Sequence, residues 1–215
     1  MNVLVIGANG QIGSHTVRML GLSTEHTGTA MIRKEEQRSR MQELGADEIV
    51  IGDLEKDFSH AFEHADAVIF TAGSGGHTGP EQTEVIDRKG AQKAVEEAEK
   101  AGVSRFIMIS TIMADQPEEA PESIQHYLKA KGAADETLQS SGMKWTVIRP
   151  GPLSNDDARG TVTLKKQLGT FDGSIPREDV AALAVNALVL EETFNQTFEV
   201  LSGDTPLGEA LKSIT

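Results

Sequence analysis

Tyr127 and Lys131 stand four residues apart in a stretch whose pattern predicts a helix over residues 125–140. Four residues turn a helix by about 400°, so the two side chains lie about 40° apart on one face while Lys129 points elsewhere. An ammonium beside a phenol favours phenolate and lowers its pKa, which would make Tyr127 a usable general acid or base. Tyr127 is the chain's single tyrosine. Ser110 ends a short β-type run, Phe106 to Ile109, where its hydroxyl could hold a substrate oxygen. Either feature alone is more often packing or a strand end. Together, downstream of the turn described next, they favour chemistry.

Gly7-Ala8-Asn9-Gly10-Gln11-Ile12-Gly13 follows the first apolar run and opens the first helical pattern. Gly7 permits a tight turn, Gly10 lets the backbone approach a pyrophosphate, and Gly13 lets helix pack on strand. The N–H groups at the helix start, around Asn9, Gln11 and Ile12, face the anion. In the NAD-type fingerprint an acid about 20 residues on binds the ribose 2′-OH. Here the second strand ends Met31-Ile32-Arg33-Lys34 with no acid inside it, although Glu35 and Glu36 follow. Arg33 and Lys34 suit a 2′-phosphate, so the expected cofactor is NADP rather than NAD. Asp53 and Leu54 are placed to reach the adenine, and Thr71, Ala72 and Gly73 to lie along the cofactor.

The elements that must position these groups alternate along the chain. Val3–Ile6, Thr29–Ile32, Glu48–Ile51, Ala67–Phe70, Phe106–Ile109 and Trp145–Ile148 read as strands. Ile12–Leu20, a continuous Pro80–Ala101 and Gln125–Ser140 read as helices between them. This pattern predicts an α/β fold with a doubly wound parallel sheet, its ligand site at the carboxyl ends of the strands. After Pro150 the pattern weakens. Residues 154–174 are polar and contain glycine, Pro176 starts a helix, and a last strand covers about 197–201. The expected organisation is one domain over 1–215, with 151–215 as a small substrate-side extension.

Composition narrows the function. The 215 residues carry 20 Lys+Arg and 33 Asp+Glu, a net charge of −13, which disfavours nonspecific binding to nucleic acid or an anionic membrane. Absence of cysteine excludes disulfides and thiolate metal sites, and the six histidines show no metal-binding spacing. The start MNVLVIG lacks the basic stretch of a signal peptide, so a cytoplasmic location is expected. The expected partner is a small-molecule substrate, with no nucleic acid and no membrane, and a homodimer stays open.

These residues resemble the short-chain dehydrogenases/reductases of the atypical, extended-like branch, NAD(P)-binding Rossmann proteins of the NAD-dependent epimerase/dehydratase type. The likeness runs from GANGQIG through Gly52-Asp53-Leu54, Thr71-Ala72-Gly73, Ser110, Tyr127-x-x-x-Lys131 and Arg149-Pro150-Gly151 to Ile175-Pro176-Arg177-Glu178-Asp179. It implies that Ser110, Tyr127 and Lys131 are the catalytic serine, tyrosine and lysine, with Tyr127 and Lys131 also touching the cofactor. It implies that Pro150 and Gly151 belong to the loop packing on the nicotinamide. It points to Asp87, where many members carry an asparagine in a proton relay; a solvent-facing acid is the equal alternative. His77 and His126 could overlook the nicotinamide. The expectation is an NADP-dependent oxidoreductase or epimerase-like enzyme acting on a small carbonyl or hydroxyl substrate. Its rivals are an NADP-binding redox sensor without turnover and a flavin- or quinone-type NADPH reductase.

Overall fold

Val3, Leu4, Val5 and Ile6 are all buried in β1 (Asn2–Ile6), as a strand covered on both faces requires. In the computed structural model, which describes residues 1–75, 78–169 and 172–214, β1 lies inside a nine-stranded sheet. The chain continues through α1 (Gln11–Gly21), β2 (Thr27–Ile32), α2 (Arg38–Glu43), β3 (Glu48–Ile51) and β4 (Ala67–Phe70). Next come α3 (Pro80–Thr83), a π-helical stretch (Glu84–Gly90), α4 (Ala91–Lys100), β5 (Arg105–Ile109), α5 (Glu122–Gln139) and β6 (Lys144–Pro150). The last part supplies β7 (Leu153–Ser154), β8 (Thr161–Lys165), β9 (Ile175–Pro176), α6 (Arg177–Ala187), β10 (Gln196–Ser202), β11 (Thr205–Pro206) and α7 (Leu207–Lys212).

The sheet order is β3-β2-β1-β4-β5-β6-β10-β8-β11. Its first seven strands are parallel, β8 pairs antiparallel with β10, and β11 pairs antiparallel with β8. The winding direction reverses between β1 and β4, where Val3 pairs with Ala67. That switch point opens a crevice at the carboxyl ends of the strands, the Rossmann arrangement. Side-chain alternation splits the core. Val3 and Val5 face Val17 and Leu20 of α1 and Val180 and Leu183 of α6. Leu4 and Ile6 face Phe58, Phe62, Val95 of α4 and Leu138 of α5. None of the described helices is long and apolar enough to cross a membrane.

Three elements differ from the sequence expectation. The run expected as one helix over Pro80–Ala101 is interrupted by the π-helical stretch, whose wider turns rotate the side chains that follow; such turns cluster at functional sites. Residues 35–43, left without an element, form a 3₁₀ turn and α2. Residues 154–174, also left irregular, contain β8, whose five residues alternate too briefly to announce a strand.

Candidate functional site

The glycine turn is built as its residue types dictate. Gly7 has φ +87°, and a Cβ there would stand 2.6 Å from Ala72 N. A Cβ on Gly13 would stand 2.2 Å from Gly7 O, so this glycine is what lets α1 lie against the turn. Gly10 caps α1 with no side-chain hydrogen bond, and no acid occupies the first turn. The helix therefore presents its N–H donors and the positive end of its dipole to whatever lies above Gly10.

A cavity of about 620 Å³ runs along this turn. Of the residues expected to bind cofactor, Gly7, Asn9, Gly10, Arg33, Leu54, Thr71, Ala72 and Gly73 line it. Gln37 joins Arg33 in the wall, and its Oε1 accepts the backbone N–H groups of Arg33 and Lys34 at 2.9 and 3.1 Å, fixing the strand end. Arg40 reaches the turn from α2, donating to Asn9 Oδ1 at 3.3 Å and Ser14 Oγ at 3.0 Å. Sequence reading missed Gln37 and Arg40 because neither the 3₁₀ turn over Glu35–Gln37 nor α2 was foreseen. A glycine cradle, an uncapped helix start and an arginine at the second strand end are the donor set that a nicotinamide dinucleotide needs.

The other expected cofactor residues are not walls of this cavity. Ile12 is buried in the core and Gln11 is exposed at the start of α1. Lys34 is exposed, and Asp53 lies 3.7 Å from Lys56. Gly151 donates its N–H to Val200 O at 3.0 Å, and a Cβ there would meet Leu201 at 2.5 Å; buried Pro150 precedes it.

The residues expected to do chemistry form a mostly buried polar cluster that meets the cavity at Ser74, the residue whose N–H Asp87 accepts. Lys131 is buried and donates to Ile109 O at 2.8 Å, whereas Lys129 is exposed and pairs with Glu118. Ser110 is buried and donates its hydroxyl proton to Asp135 Oδ2 at 2.9 Å. Arg149 Nε also donates to Asp135 Oδ2, at 3.0 Å, and its Nη1 lies 2.8 Å from Asp115. Asp87 is buried in the π-helical stretch, not solvent-facing, and accepts the Ser74 N–H at 3.0 Å. Tyr127 is half-buried on α5. His126 is exposed, and His77 lies outside the described residues.

The electrostatics overturn one expectation. Tyr127 was expected to have its phenol pKa lowered by Lys131. Instead, burial first, then the Asp87 and Asp135 carboxylates, raise it above its ordinary value. The Lys131 ammonium is engaged with a backbone carbonyl, and the charges that act on the phenol are acidic. Asp135 was missed altogether. It lies eight residues after Tyr127 on the same helical stripe, but an isolated acid on a polar helix carries no signal until Ser110 and Arg149 are folded against it.

Comparison with known proteins agrees with this geometry. The chain matches the NAD(P)H-binding family over residues 7–190. A Bacillus subtilis protein named an uncharacterized sugar epimerase is 43% identical over the whole of both chains. A sanguinarine reductase of Eschscholzia californica is 29% identical, over 99% of this chain and 93% of its own. A solved Bacillus halodurans structure, described as a putative NAD-dependent epimerase/dehydratase, superposes with a TM-score of 0.96 at 44% identity, covering 99% of each chain.

Proposed function

The chain belongs to the NAD(P)H-binding family, and from that premise we propose that it is an NADP-dependent reductase of a small carbonyl compound with Tyr127 as proton donor. The family is oxidoreductase- and epimerase-like in character. Arg33 in the cavity wall, with no acid at the end of β2, supports NADP. When bound, the nicotinamide supplies or accepts hydride. The chain's own residues hold the cofactor along the glycine turn, steady the substrate oxygen at Ser110 and move a proton at the Tyr127 hydroxyl. Lys131 keeps two of its three N–H donors for the cofactor ribose after bonding Ile109.

The observation that carries the reading is the cavity along the glycine turn with Arg33 in its wall. Burial and the acidic groups around it raise the Tyr127 phenol above its ordinary value, so it rests protonated at neutral pH, the form that donates to a carbonyl oxygen. The name of the Bacillus subtilis relative favours sugar epimerisation as a second reading, which needs the tyrosine to alternate between both states.

The test follows NADPH absorbance over a panel of aldehydes, ketones, quinones, flavins and sugars. Carbonyl reduction should fall by about 10²–10⁴ in Tyr127→Phe with NADPH affinity unchanged. Undiminished quinone or flavin turnover in that variant would replace this reading with a tyrosine-independent reductase. Tight NADPH binding with no turnover on any compound would replace it with a sensor.

A further inference from the structure

Asp135 is 1% exposed, yet its two oxygens are treated very differently. Oδ2 accepts two hydrogen bonds, from Ser110 Oγ and Arg149 Nε. Oδ1 is equally buried and has no hydrogen-bond partner among the described residues. A carboxylate this deep is usually paired on both oxygens, because a charged oxygen that loses its water needs a partner in its place. The facing cation is also shared, since Arg149 reaches the half-exposed Asp115 at 2.8 Å.

Of the other charged groups around this carboxyl, Lys131 favours the carboxylate and the rest are acids. Lys131, on the same helix, spends a donor on Ile109 O. Glu199 of β10, beside β6, accepts the N–H groups of Met113 and Leu168. The Asp87 and Asp135 carboxylates both act on the Tyr127 phenol. Burial outweighs Arg149, Ser110 and Lys131 and raises the Asp135 carboxyl above its ordinary value.

We propose that Asp135 is a positioning residue that sets the hydrogen-bond polarity of Ser110: ionised, it captures the Ser110 proton and leaves only lone pairs for the substrate, and protonated, it donates to Ser110 and turns that proton outward. Ser110 has a single O–H, so it cannot serve Asp135 and a carbonyl oxygen together. A carbonyl substrate accepts hydrogen bonds and its alcohol product also donates them. The protonated state of Asp135 therefore holds the carbonyl form, and the ionised state the alcohol form. This role rests on the carbonyl-reductase reading.

Two measurements test it. The first is a carbon-NMR pH titration of labelled aspartate carboxyls in the full chain without cofactor. One resonance, absent from Asp135→Asn, should titrate above the ordinary aspartate value of about 3.9 and move higher in Ser110→Ala, which removes a hydrogen bond favouring the carboxylate. The second is the pH profile of phenanthrenequinone reduction by NADPH. Wild-type kcat/KM should fall about tenfold per pH unit above that midpoint. Asp135→Asn should give a flat profile with NADPH affinity retained, because an amide exchanges no proton however it is seated. A resonance at or below the ordinary value, or the same fall in Asp135→Asn, overturns the proposal. If Asp135→Asn does not fold, the response to Ser110→Ala decides, and an unmoved wild-type resonance is fatal. Failure of NADPH to bind would instead remove the reductase reading and leave the carboxyl titration to judge Asp135.

Discussion

Arg33 is a wall of the cavity and Arg40 is not, so the two should affect nucleotides differently. Arg33 lines the cavity with its backbone fixed by Gln37, so it can meet a 2′-phosphate directly. A charged hydrogen bond of this kind contributes about 1.5–3 kcal/mol, or about tenfold to a hundredfold in affinity. NADPH should bind that much more tightly than NADH by fluorescence titration, and Arg33→Asp should abolish the preference. Arg40 instead braces Asn9 and Ser14. Arg40→Ala should weaken both nucleotides alike, by about two- to fivefold, because it loosens the turn and removes only partly exposed bonds. A selective loss of NADPH in Arg40→Ala would make it a phosphate ligand. Arg33 was legible as a base where an acid was missing. Arg40 was not, because only a helix at residues 38–43 brings it back to residue 9.

At the scale of elements, the first strand, turn and helix were readable because one short segment encodes all three. The three glycines make a sharp test of that reading. Gly10→Val places its Cβ 3.1 Å from Gly7 O and otherwise into the cavity, so it should abolish nucleotide binding and leave the thermal midpoint nearly unchanged. Gly13→Val drives a side chain into the backbone of Gly7 and Ala8 and should unfold the chain by circular dichroism at ordinary temperature. Equal thermal loss in both variants would mean that Gly10 is structural. The helix after β4 was legible only as a helix. Nothing in Glu84–Gly90 announces wider turns, and its neighbours, α5 and Leu54, come together with it only in the folded chain. The stripe Tyr127, Lys131, Asp135 was two-thirds readable: the spacing named two members, and the third waited for partners on β5 and β6.

For the molecule as a whole, the parallel order followed from the alternation of strands and helices, while the antiparallel placing of β8 and β11 did not. Arg105 shows how the far side is tied. It is buried at the start of β5, stacked over Phe194 at 4.6 Å. It donates to the carbonyls of Lys144, Ala187 and Leu188 and to the hydroxyls of Thr146 and Thr193. Burial pulls its pKa down to about 9, which still leaves it charged at neutral pH, and the C-terminal end of α6 suits that charge. Arg105→Met keeps bulk but strands these acceptors. It should lower stability in urea by about 3 kcal/mol with NADPH affinity in the surviving folded fraction unchanged. A loss under about 0.5 kcal/mol would show that water replaces the guanidinium freely.

The strand order has a consequence for the chain as it is made. β6 pairs on its outer side with β10, and β10 is reached only after β7, β8, β9 and α6 have been passed. A ribosome adding about 5–20 residues per second would release β6 some seconds before its neighbour exists. In that interval the half-finished sheet shows a buried-type edge, Val147 to Pro150, to any other strand nearby. Nascent chains should therefore be most prone to cross-pairing, and most in need of a holding chaperone, after residue 150 and before residue 202.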